Sequence, residues 1–355
     1  MKVLITGACG FVGSLIARRL KESIDGVQIV GIDNLCRDGS QINRAAMGQL
    51  CQPLIHADLR AASDFETLPD VDWVVDCAAL PSVLAGTSGY GSSRQLVEHN
   101  LGGTLNLLEY CRRTKAGLIL LSTSRVYSID PLSRLPLVEG DRRFDLANDK
   151  ALPTGISDAG IAESFSTTPP VSLYGATKLA SETMAIEYGN AFEFPVRINR
   201  CGVLAGAGQF GRADQGIFSF WIHSHRAKQA LRYIGSRGTG FQVRDCLHPD
   251  DLASLVRRQM IAGIDRDKPI VANVSGGVES SMSLLQLTQW CDARFGSHPV
   301  VSSTDERPFD LPWIVLDSSL VRSAWDWKPQ RTTEQVLDEI AEFAHENPSW
   351  LELSS

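Results

Sequence analysis

Hydrophobic residues along the first two hundred positions follow two alternating periods. A short apolar run at 3–5 predicts a buried strand, and Leu15, Ile16 and Leu20 then recur at the spacing of one helical face. Similar runs and stripes follow down the chain. They predict strands at 27–32, 53–58, 73–78, 118–122 and 196–201, and helices at 96–113 and 174–188. Because strands alternate with helices, we expect an α/β fold built on a Rossmann-type, doubly wound parallel sheet.

This alternation is interrupted between residues 128 and 172. The segment is polar, rich in proline, aspartate, serine and threonine, and has no hydrophobic period. Long loops inside a compact domain are usually functional. We interpret the segment as a lid over a binding site, with a plain surface insertion as the alternative.

The pattern changes again after residue 201. A loop is predicted at 202–211, strands at 231–234, 242–248 and 270–274, and helices at 216–230, 250–261, 283–295 and 333–345. We expect one Rossmann-type domain formed by residues 1–201 and 243–272. Residues 202–242 and 273–355 are expected to form a smaller, interwoven α/β lobe.

The composition restricts the classes of function. The chain has 355 residues, 43% of them hydrophobic, and a formal net charge of −7. Without a basic patch it is not expected to bind nucleic acid, and without an apolar run of ~20 residues it is not expected to span a membrane. None of the eight cysteines forms a Cys-x-x-Cys pair, which favours reduced thiols in a cytoplasmic protein. His223 and His225 would face apart on a helix, so we predict no metal site.

Three glycines separate the first predicted strand from the first helix. Gly7, Gly10 and Gly13 would form a tight turn that presents backbone N–H groups and a helix N-terminus to a pyrophosphate. Asp33 ends the second strand, where a carboxylate accepts hydrogen bonds from the ribose hydroxyls of NAD and repels the 2′-phosphate of NADP. Arg37 weakens this preference for NAD. The alternative is an ordinary glycine turn and a surface aspartate.

Candidate acid–base chemistry lies further along the chain. Tyr174 and Lys178 are four residues apart at the start of a helix and therefore share one face. A neighbouring ammonium favours the phenolate, so we expect Lys178 to lower the pKa of Tyr174 and allow it to act as a base. Thr123 follows a predicted strand and could bind the reacting oxygen. The alternative for Thr123 is a simple serine/threonine turn.

Several motifs together carry a family resemblance. They are Gly7-x-x-Gly10-x-x-Gly13, Asp33-Asn34, Asn100-x-x-Gly103-Thr104, Thr123 four residues before Tyr127, and Tyr174-x-x-x-Lys178. This set resembles the extended short-chain dehydrogenase/reductase family, in its NAD-dependent epimerase/dehydratase group, whose members act on nucleotide sugars. The resemblance implies an NAD-binding domain, a nucleotide-sugar-binding lobe and a homodimer that pairs the helices near 96–113 and 174–188.

The resemblance also assigns roles to residues. It implies that Thr123, Tyr174 and Lys178 are catalytic, and that Asp58 and Leu59 flank the adenine. The other residues implied to contact NAD are Gly7, Gly10, Phe11, Val12, Gly13, Asp33, Asn34, Ala78, Ala79, Asn100, Ser122, Tyr174 and Lys178.

Residues 209–216, 242–248 and 283–285 resemble a subgroup of epimerases that act on CDP-sugars. The resemblance implies inversion at C2 of a CDP-sugar through a transient keto-sugar. It also implies that Arg244 and Arg307 meet the phosphates, with surface salt bridges as the alternative. The other residues implied to contact substrate are Ser82, Ser124, Arg125, Gln209, Asp214 and Gln215.

One departure from the family pattern bears on the reaction. The dehydratase branch has an acidic pair after the catalytic threonine, whereas this chain has Ser124 and Arg125. Without a carboxylate there, elimination of water lacks its general acid. The remaining alternatives are a nucleotide-sugar 4-epimerase, an NAD(P)-dependent reductase or dehydrogenase, and a non-catalytic NAD-binding module.

Overall fold

The computed structural model describes residues 1–87, 89–147 and 149–354. The strands in chain order are β1 (Lys2–Thr6), β2 (Gln28–Asp33), β3 (Leu54–His56), β4 (Trp73–Asp76), β5 (Gly117–Thr123), β6 (Leu137–Glu139), β7 (Phe144–Leu146), β8 (Ile156–Ser157), β9 (Gly160–Ile161), β10 (Val196–Cys201), β11 (Val203–Leu204), β12 (Leu231–Tyr233), β13 (Val243–Leu247), β14 (Val271–Val274), β15 (Ser281–Ser283), β16 (Val300–Ser302) and β17 (Trp313–Ile314). The helices are α1 (Phe11–Ser23), α2 (Arg44–Leu50), α3 (Ser93–Val97), α4 (Gly103–Thr114), α5 (Ile129–Ser133), α6 (Ser172–Phe192), α7 (Ile217–Arg226), α8 (Pro249–Ala262), α9 (Leu284–Phe295), α10 (Ser319–Trp325) and α11 (Thr333–Glu346). Among these described residues, no helix is long and apolar enough to cross a membrane.

A seven-stranded sheet forms the centre of the molecule and confirms the expected fold. Its order is β14-β10-β5-β4-β1-β2-β3, and every neighbouring pair is parallel. The strands are apolar on both faces because helices cover both, so strands such as β1 and β4 are almost entirely buried. The chain runs outward from β1 to β3 and then returns to β4 on the other side. This reversal opens a crevice at the carboxyl ends of β1 and β4, where ligands bind in such sheets.

A second, smaller sheet lies beside the first. Strand β13 pairs with β11, β15 and β17 in this sheet, and not with the seven-stranded sheet. Helix α8, which follows β13, packs Leu252 and Val256 into the same core as Ile16 and Leu20 of α1. Within residues 243–262 the chain therefore passes from the smaller sheet to the core beside the seven-stranded sheet. The division into two domains stays a prediction, and its boundary at 272 falls inside β14.

Residues 128–172 contain more structure than their sequence suggested. Helix α5 and the hairpins β6–β7 and β8–β9 lie in this segment, and Asn148 lies outside the described residues. Ile161 exchanges backbone hydrogen bonds with Val315 and Asp317, at 2.8 and 2.9 Å. Long-range packing of this kind leaves no local period, which is why the segment looked featureless. No described residue from 128 to 172 lines the main cavity, so this arrangement gives no support to the lid, which stays a prediction.

Other differences concern short or interrupted elements. The predicted helix at 96–113 is interrupted by a π-helical turn at Glu98–Gly102. The predicted helix at 216–230 ends at Arg226. Helices α2 and α10 have seven residues each, too few to establish a period, and were not expected.

Candidate functional site

One large cavity follows the crevice at the carboxyl ends of the central strands. The glycine turn, Asp33, Thr123 and Tyr174 line one side. Residues 209–210 and 213–217 line the other side together with Arg244 and Arg307. Among the candidate site residues, the structure brings all but three to the wall of this cavity. The exceptions are Ser82, Asn100 and Lys178.

The glycine turn is packed too tightly for side chains. Gly7 has a φ of +59°, and the Gly10 N–H donates to the Gly7 carbonyl oxygen at 2.9 Å. A Cβ at Gly13 would lie 2.2 Å from the same oxygen. Gly10 caps α1 without a side-chain hydrogen bond, and the first turn carries no acidic residue. The first N–H groups of α1 therefore lack a side-chain acceptor, as the binding of a phosphate requires.

Asp33 is held against this turn. Its carboxylate accepts hydrogen bonds from the backbone N–H groups of Cys9 at 2.8 Å and Leu35 at 2.7 Å. Burial raises the pKa of Asp33, although these hydrogen bonds oppose the shift. Arg37 does not pair with Asp33, because its guanidinium donates to the Phe210 carbonyl oxygen at 2.8 Å. Arg37 therefore joins the two sides of the cavity.

The expected adenine end contains a charged residue that sequence reasoning missed. Arg60 donates to both carboxylate oxygens of Asp58, at 3.0 and 2.7 Å, and lowers its pKa. Asn34 also donates to Asp58, at 3.1 Å. Arg60 lines the cavity with Asp58 and Leu59. Its position two residues after Asp58 was the available signal.

The loop after β4 forms the next part of the wall. The backbone N–H groups of Cys77 and Ala78 both donate to the Thr6 hydroxyl at 3.0 Å, and Thr6 donates to Asp76 at 2.6 Å. This fixes Ala78 so close that a Cβ on Gly7 would approach its backbone to 3.2 Å. Ala78 and Ala79 both line the cavity.

Asn100 lies behind this wall. Its side-chain oxygen accepts from the Leu80 N–H at 2.8 Å, and its amide donates to the Leu80 carbonyl oxygen at 3.3 Å and to Thr177 at 3.1 Å. It therefore ties the loop after β4 to helix α6. The structure supports an indirect influence of Asn100 on the cavity, through Leu80, in place of the expected direct contact.

Thr123 and Tyr174 meet at the centre of the cavity. Thr123 ends β5, and its hydroxyl accepts from the Arg125 N–H at 3.2 Å and hydrogen-bonds Tyr174. Gly175 allows this approach, because a Cβ there would lie 2.2 Å from the Arg125 carbonyl oxygen. The start of α6 thus rests directly on the turn after β5.

The pKa of Tyr174 differs from the sequence expectation. Burial raises it to about 12, against the opposing effects of the Thr123 hydrogen bond and the charge of Arg125. Lys178 lies one helical turn further on, only 2% exposed, and its charge acts on the thiols of Cys77 and Cys201. The prediction of a lowered Tyr174 pKa is therefore wrong for this structure, because desolvation outweighs the Thr123 hydrogen bond and the charge of Arg125.

A buried polar network connects the elements that carry Thr123 and Tyr174. Arg200 donates to Glu182 through Nε at 3.1 Å and Nη2 at 2.7 Å, and Ser122 also donates to Glu182. Arg200 further donates to the Tyr127 hydroxyl at 3.3 Å. Glu182 is on α6, and Ser122 is on β5, so the network joins the two elements that carry Tyr174 and Thr123. Sequence reasoning missed it because its members are far apart along the chain.

Polar residues at the other end come from both parts of the molecule. Ser82 donates to Asp214 at 2.6 Å, so it reaches the cavity wall only through its partner. Gln209 donates to the Leu204 carbonyl oxygen at 2.8 Å, and Gln215 and Ser124 also line the wall. Arg244 pairs with Asp310 at 3.3 Å, and Asp310 was not expected from the sequence.

Comparisons with known proteins agree with this geometry. The model of the NAD dependent epimerase/dehydratase family matches residues 3–274. CDP-paratose 2-epimerase from Salmonella typhi is 30% identical over 97% of this chain and 99% of its own length. The fold is similar to UDP-glucose 4-epimerase from Thermotoga maritima with UDP-glucose (TM-score 0.76, 20% identity, covering 98% of this chain and 99% of that one). It is also similar to UDP-glucuronic acid 4-epimerase from Bacillus cereus with UDP-glucuronic acid and NAD (TM-score 0.75, 23% identity, 98% and 99% covered).

Proposed function

Because this chain belongs to the NAD-dependent epimerase/dehydratase family, we propose that it is an epimerase that inverts one carbon of a CDP-sugar through a transient keto-sugar. Likeness to CDP-paratose 2-epimerase supports C2 as that carbon. The observation that carries the proposal is the single cavity shared by the glycine turn with Asp33, the Thr123–Tyr174 pair, and Arg244 with Arg307. The candidate base, Tyr174, therefore lies in the same cavity as a candidate dinucleotide site and a candidate phosphate site.

The residues present fit NAD. The uncapped start of α1 and the crowded glycines suit a pyrophosphate, and the Asp33 carboxylate at the end of β2 suits the ribose hydroxyls. Gly7, Gly10, Phe11, Val12, Gly13, Asp33 and Asn34 would hold the adenosine and phosphates, with Ala78, Ala79 and Ser122 further along the cavity. When bound, NAD supplies the acceptor for the hydride of the sugar and its return.

We assign the proton chemistry to Tyr174. Burial disfavours the phenolate, and the positive nicotinamide ring of bound NAD would favour it together with Thr123 and Arg125. The phenolate then takes the proton of the sugar hydroxyl as the carbonyl forms and returns it when the carbonyl is reduced. The Thr123 hydroxyl hydrogen-bonds Tyr174 and lies where it can also hold the reacting oxygen. Arg244 and Arg307 bind the phosphates. The sugar stays free to rotate between its oxidation and its reduction. Ser124 and Arg125 carry no carboxylate, which supports epimerisation over loss of water.

Product analysis tests this proposal. The protein as purified would be incubated with CDP-, UDP- and GDP-sugars without added cofactor, in ordinary and deuterated water, and the products read by NMR. We expect one inverted carbon in a CDP-sugar. A requirement for stoichiometric NADH would contradict the proposal and favour a reductase, and inversion at C4 would favour a nucleotide-sugar 4-epimerase.

Gly13→Ala should weaken NAD binding. The added methyl group would meet the Gly7 oxygen at 2.2 Å, and such overpacking costs about 1–3 kcal/mol. NAD retained after purification and the thermal midpoint would be measured. Gly48→Ala is the matched control, because a Cβ at Gly48 meets nothing within 4 Å. Equal NAD content in the two variants would contradict the placement of the cofactor.

Thr123→Val should move the rising limb of the pH–rate profile upward. The Thr123 hydrogen bond lowers the pKa of Tyr174 because it favours the phenolate. Its loss raises that pKa, so the active form appears at higher pH. A hydrogen bond to a charged group is worth about 1.5–3 kcal/mol, which corresponds to about one to two pH units. An unshifted limb with lower turnover would show that Thr123 acts only on the sugar.

We also propose a homodimer formed by α3, α4 and α6. Val97 and Leu173 are 42% and 43% exposed on these helices, and a partner would cover them. The same apolar groups could instead remain on the surface of a monomer. Light scattering should give twice the mass of the chain. A mass equal to that of one chain would contradict the homodimer.

A cytoplasmic location is proposed from the cysteines. All eight are free thiols, and six of them are buried. Such chains suit a reducing compartment. Cell fractionation should find the protein in the cytoplasmic fraction, and recovery from a secreted fraction would contradict it.

A further inference from the structure

Three arginines converge at the end of the cavity beyond Tyr174. Arg125, Arg244 and Arg307 line it together. Burial lowers the pKa of Arg125, the charges of Arg244 and Arg307 add to this effect, and the charge of Asp310 opposes it. Of the described carboxylates that line the cavity, Asp310 is the one whose charge acts on Arg125, whereas Asp214 acts on Arg37. Arg244 and Gln242 already donate to Asp310 at 3.3 and 3.2 Å.

Arg125 has no acidic partner of its own. Its guanidinium makes one long hydrogen bond to the Phe309 carbonyl oxygen, at 3.4 Å, and no described carboxylate lies within ion-pair distance. A half-buried guanidinium without an anion is costly, because its lost hydration is not replaced. The wall is therefore built for an anionic ligand that arrives from the cavity.

The charges at this end match a diphosphate. Three guanidinium groups and one carboxylate leave two positive charges, and each phosphate of a nucleotide sugar carries one negative charge. A sugar carboxylate would add a third negative charge, for which no further cation lines this end in the described part of the chain. Arginine also suits phosphate because its planar fork donates to two oxygens at once.

We propose that Arg125 is the third arginine of the diphosphate site and that the enzyme selects a nucleotide sugar whose sugar is uncharged. This rests on the proposed function, which assigned phosphates to Arg244 and Arg307 alone. The backbone of Arg125 contacts both Thr123 and Gly175, so a phosphate on its guanidinium also sets how far the sugar lies from Tyr174. Arg125 thereby links substrate binding to the placement of the reacting carbon.

Calorimetric titration of the NAD-loaded protein tests this inference. CMP, CDP, CDP-glucose and CDP-glucuronate would be titrated into the wild type, Arg125→Met and Arg125→Lys. We expect Arg125→Met to weaken CDP and CDP-glucose equally, by about 10- to 100-fold, since a charged hydrogen bond is lost. Arg125→Lys should lose less, because it keeps the charge but not the fork. CMP should change least, and wild-type protein should bind CDP-glucuronate more weakly than CDP-glucose.

Arg134→Met controls for the loss of a charge. Arg134 is 79% exposed and lies outside the cavity. Unchanged CDP affinity in Arg125→Met, or a loss confined to CDP-glucuronate, would overturn the proposal and assign Arg125 to the sugar. If Arg125→Met does not fold, the CDP affinity of Arg125→Lys is the test. Equal affinity of Arg125→Lys and the wild type for CDP would then contradict the proposal. A protein that binds CDP through Arg125 but inverts no sugar contradicts only the proposed function.

Discussion

Tyr174→Phe should lower turnover by about 10²- to 10⁴-fold and leave NAD binding nearly unchanged. The substitution removes only the phenolic oxygen of a side chain that is 7% exposed, so packing is preserved. The lost oxygen is the one that hydrogen-bonds Thr123 and would accept the proton of the sugar hydroxyl. A large catalytic effect with a small structural one is therefore expected.

Three readouts separate the possible roles of Tyr174. Turnover by NMR, bound NAD after denaturation and the thermal midpoint would be compared with Tyr90→Phe, in which a 51% exposed tyrosine is changed in the same way. Full activity in Tyr174→Phe would show that the catalytic residues are misassigned, whereas no turnover in the wild type would indicate a non-catalytic NAD-binding module. Loss of NAD together with activity would assign Tyr174 to cofactor binding instead.

Breaking the Arg200–Glu182 pair should cost about 3–5 kcal/mol of unfolding free energy. Glu182→Gln leaves the Arg200 guanidinium, whose side chain is 9% exposed, without its counter-charge. The glutamine side chain keeps one acceptor oxygen, for which Ser122 and Arg200 then compete. Because the pair joins α6 to β5, turnover should fall as well, through displacement of Tyr174 relative to Thr123.

Urea unfolding measures the loss, and Glu22→Gln is the matched control. Glu22 pairs with Arg19 on the surface, with 63% and 49% exposure, and such pairs contribute about 0–1 kcal/mol. The double variant with methionine at both 182 and 200 should recover much of the stability, since no buried charge remains. Equal losses of unfolding free energy for Glu182→Gln and Glu22→Gln would show that the buried Arg200–Glu182 pair stabilises the fold no more than a surface pair does.

Local signals account for the features that were anticipated correctly. The central strands and most long helices repeat their own hydrophobic period, and the glycine turn needs only short-range backbone geometry. The i, i+4 spacing that puts Tyr174 and Lys178 on one helical face is equally local. These features could be read from a few neighbouring residues at a time.

Features that depend on distant partners were missed or misjudged. Asp310 lies 66 residues from Arg244, and Arg200 lies 73 residues from Tyr127. The hairpin β8–β9 is held by residues near 315, and the hairpin β6–β7 is held by Phe241 and Ser281, which no local period reveals. The pKa of Tyr174 followed its burial and not the spacing of Lys178.

The parallel α/β sheet, the glycine turn and the family followed from the amino-acid sequence alone, because each rests on hydrophobic periodicity or on short motifs of fixed spacing. The burial of Tyr174, the pairing of Arg244 with Asp310 and the lack of an ion-pair partner for Arg125 among the described residues depend on the three-dimensional packing. Solvation and ion pairing depend on which surfaces meet in space, and that is settled only when distant segments pack together.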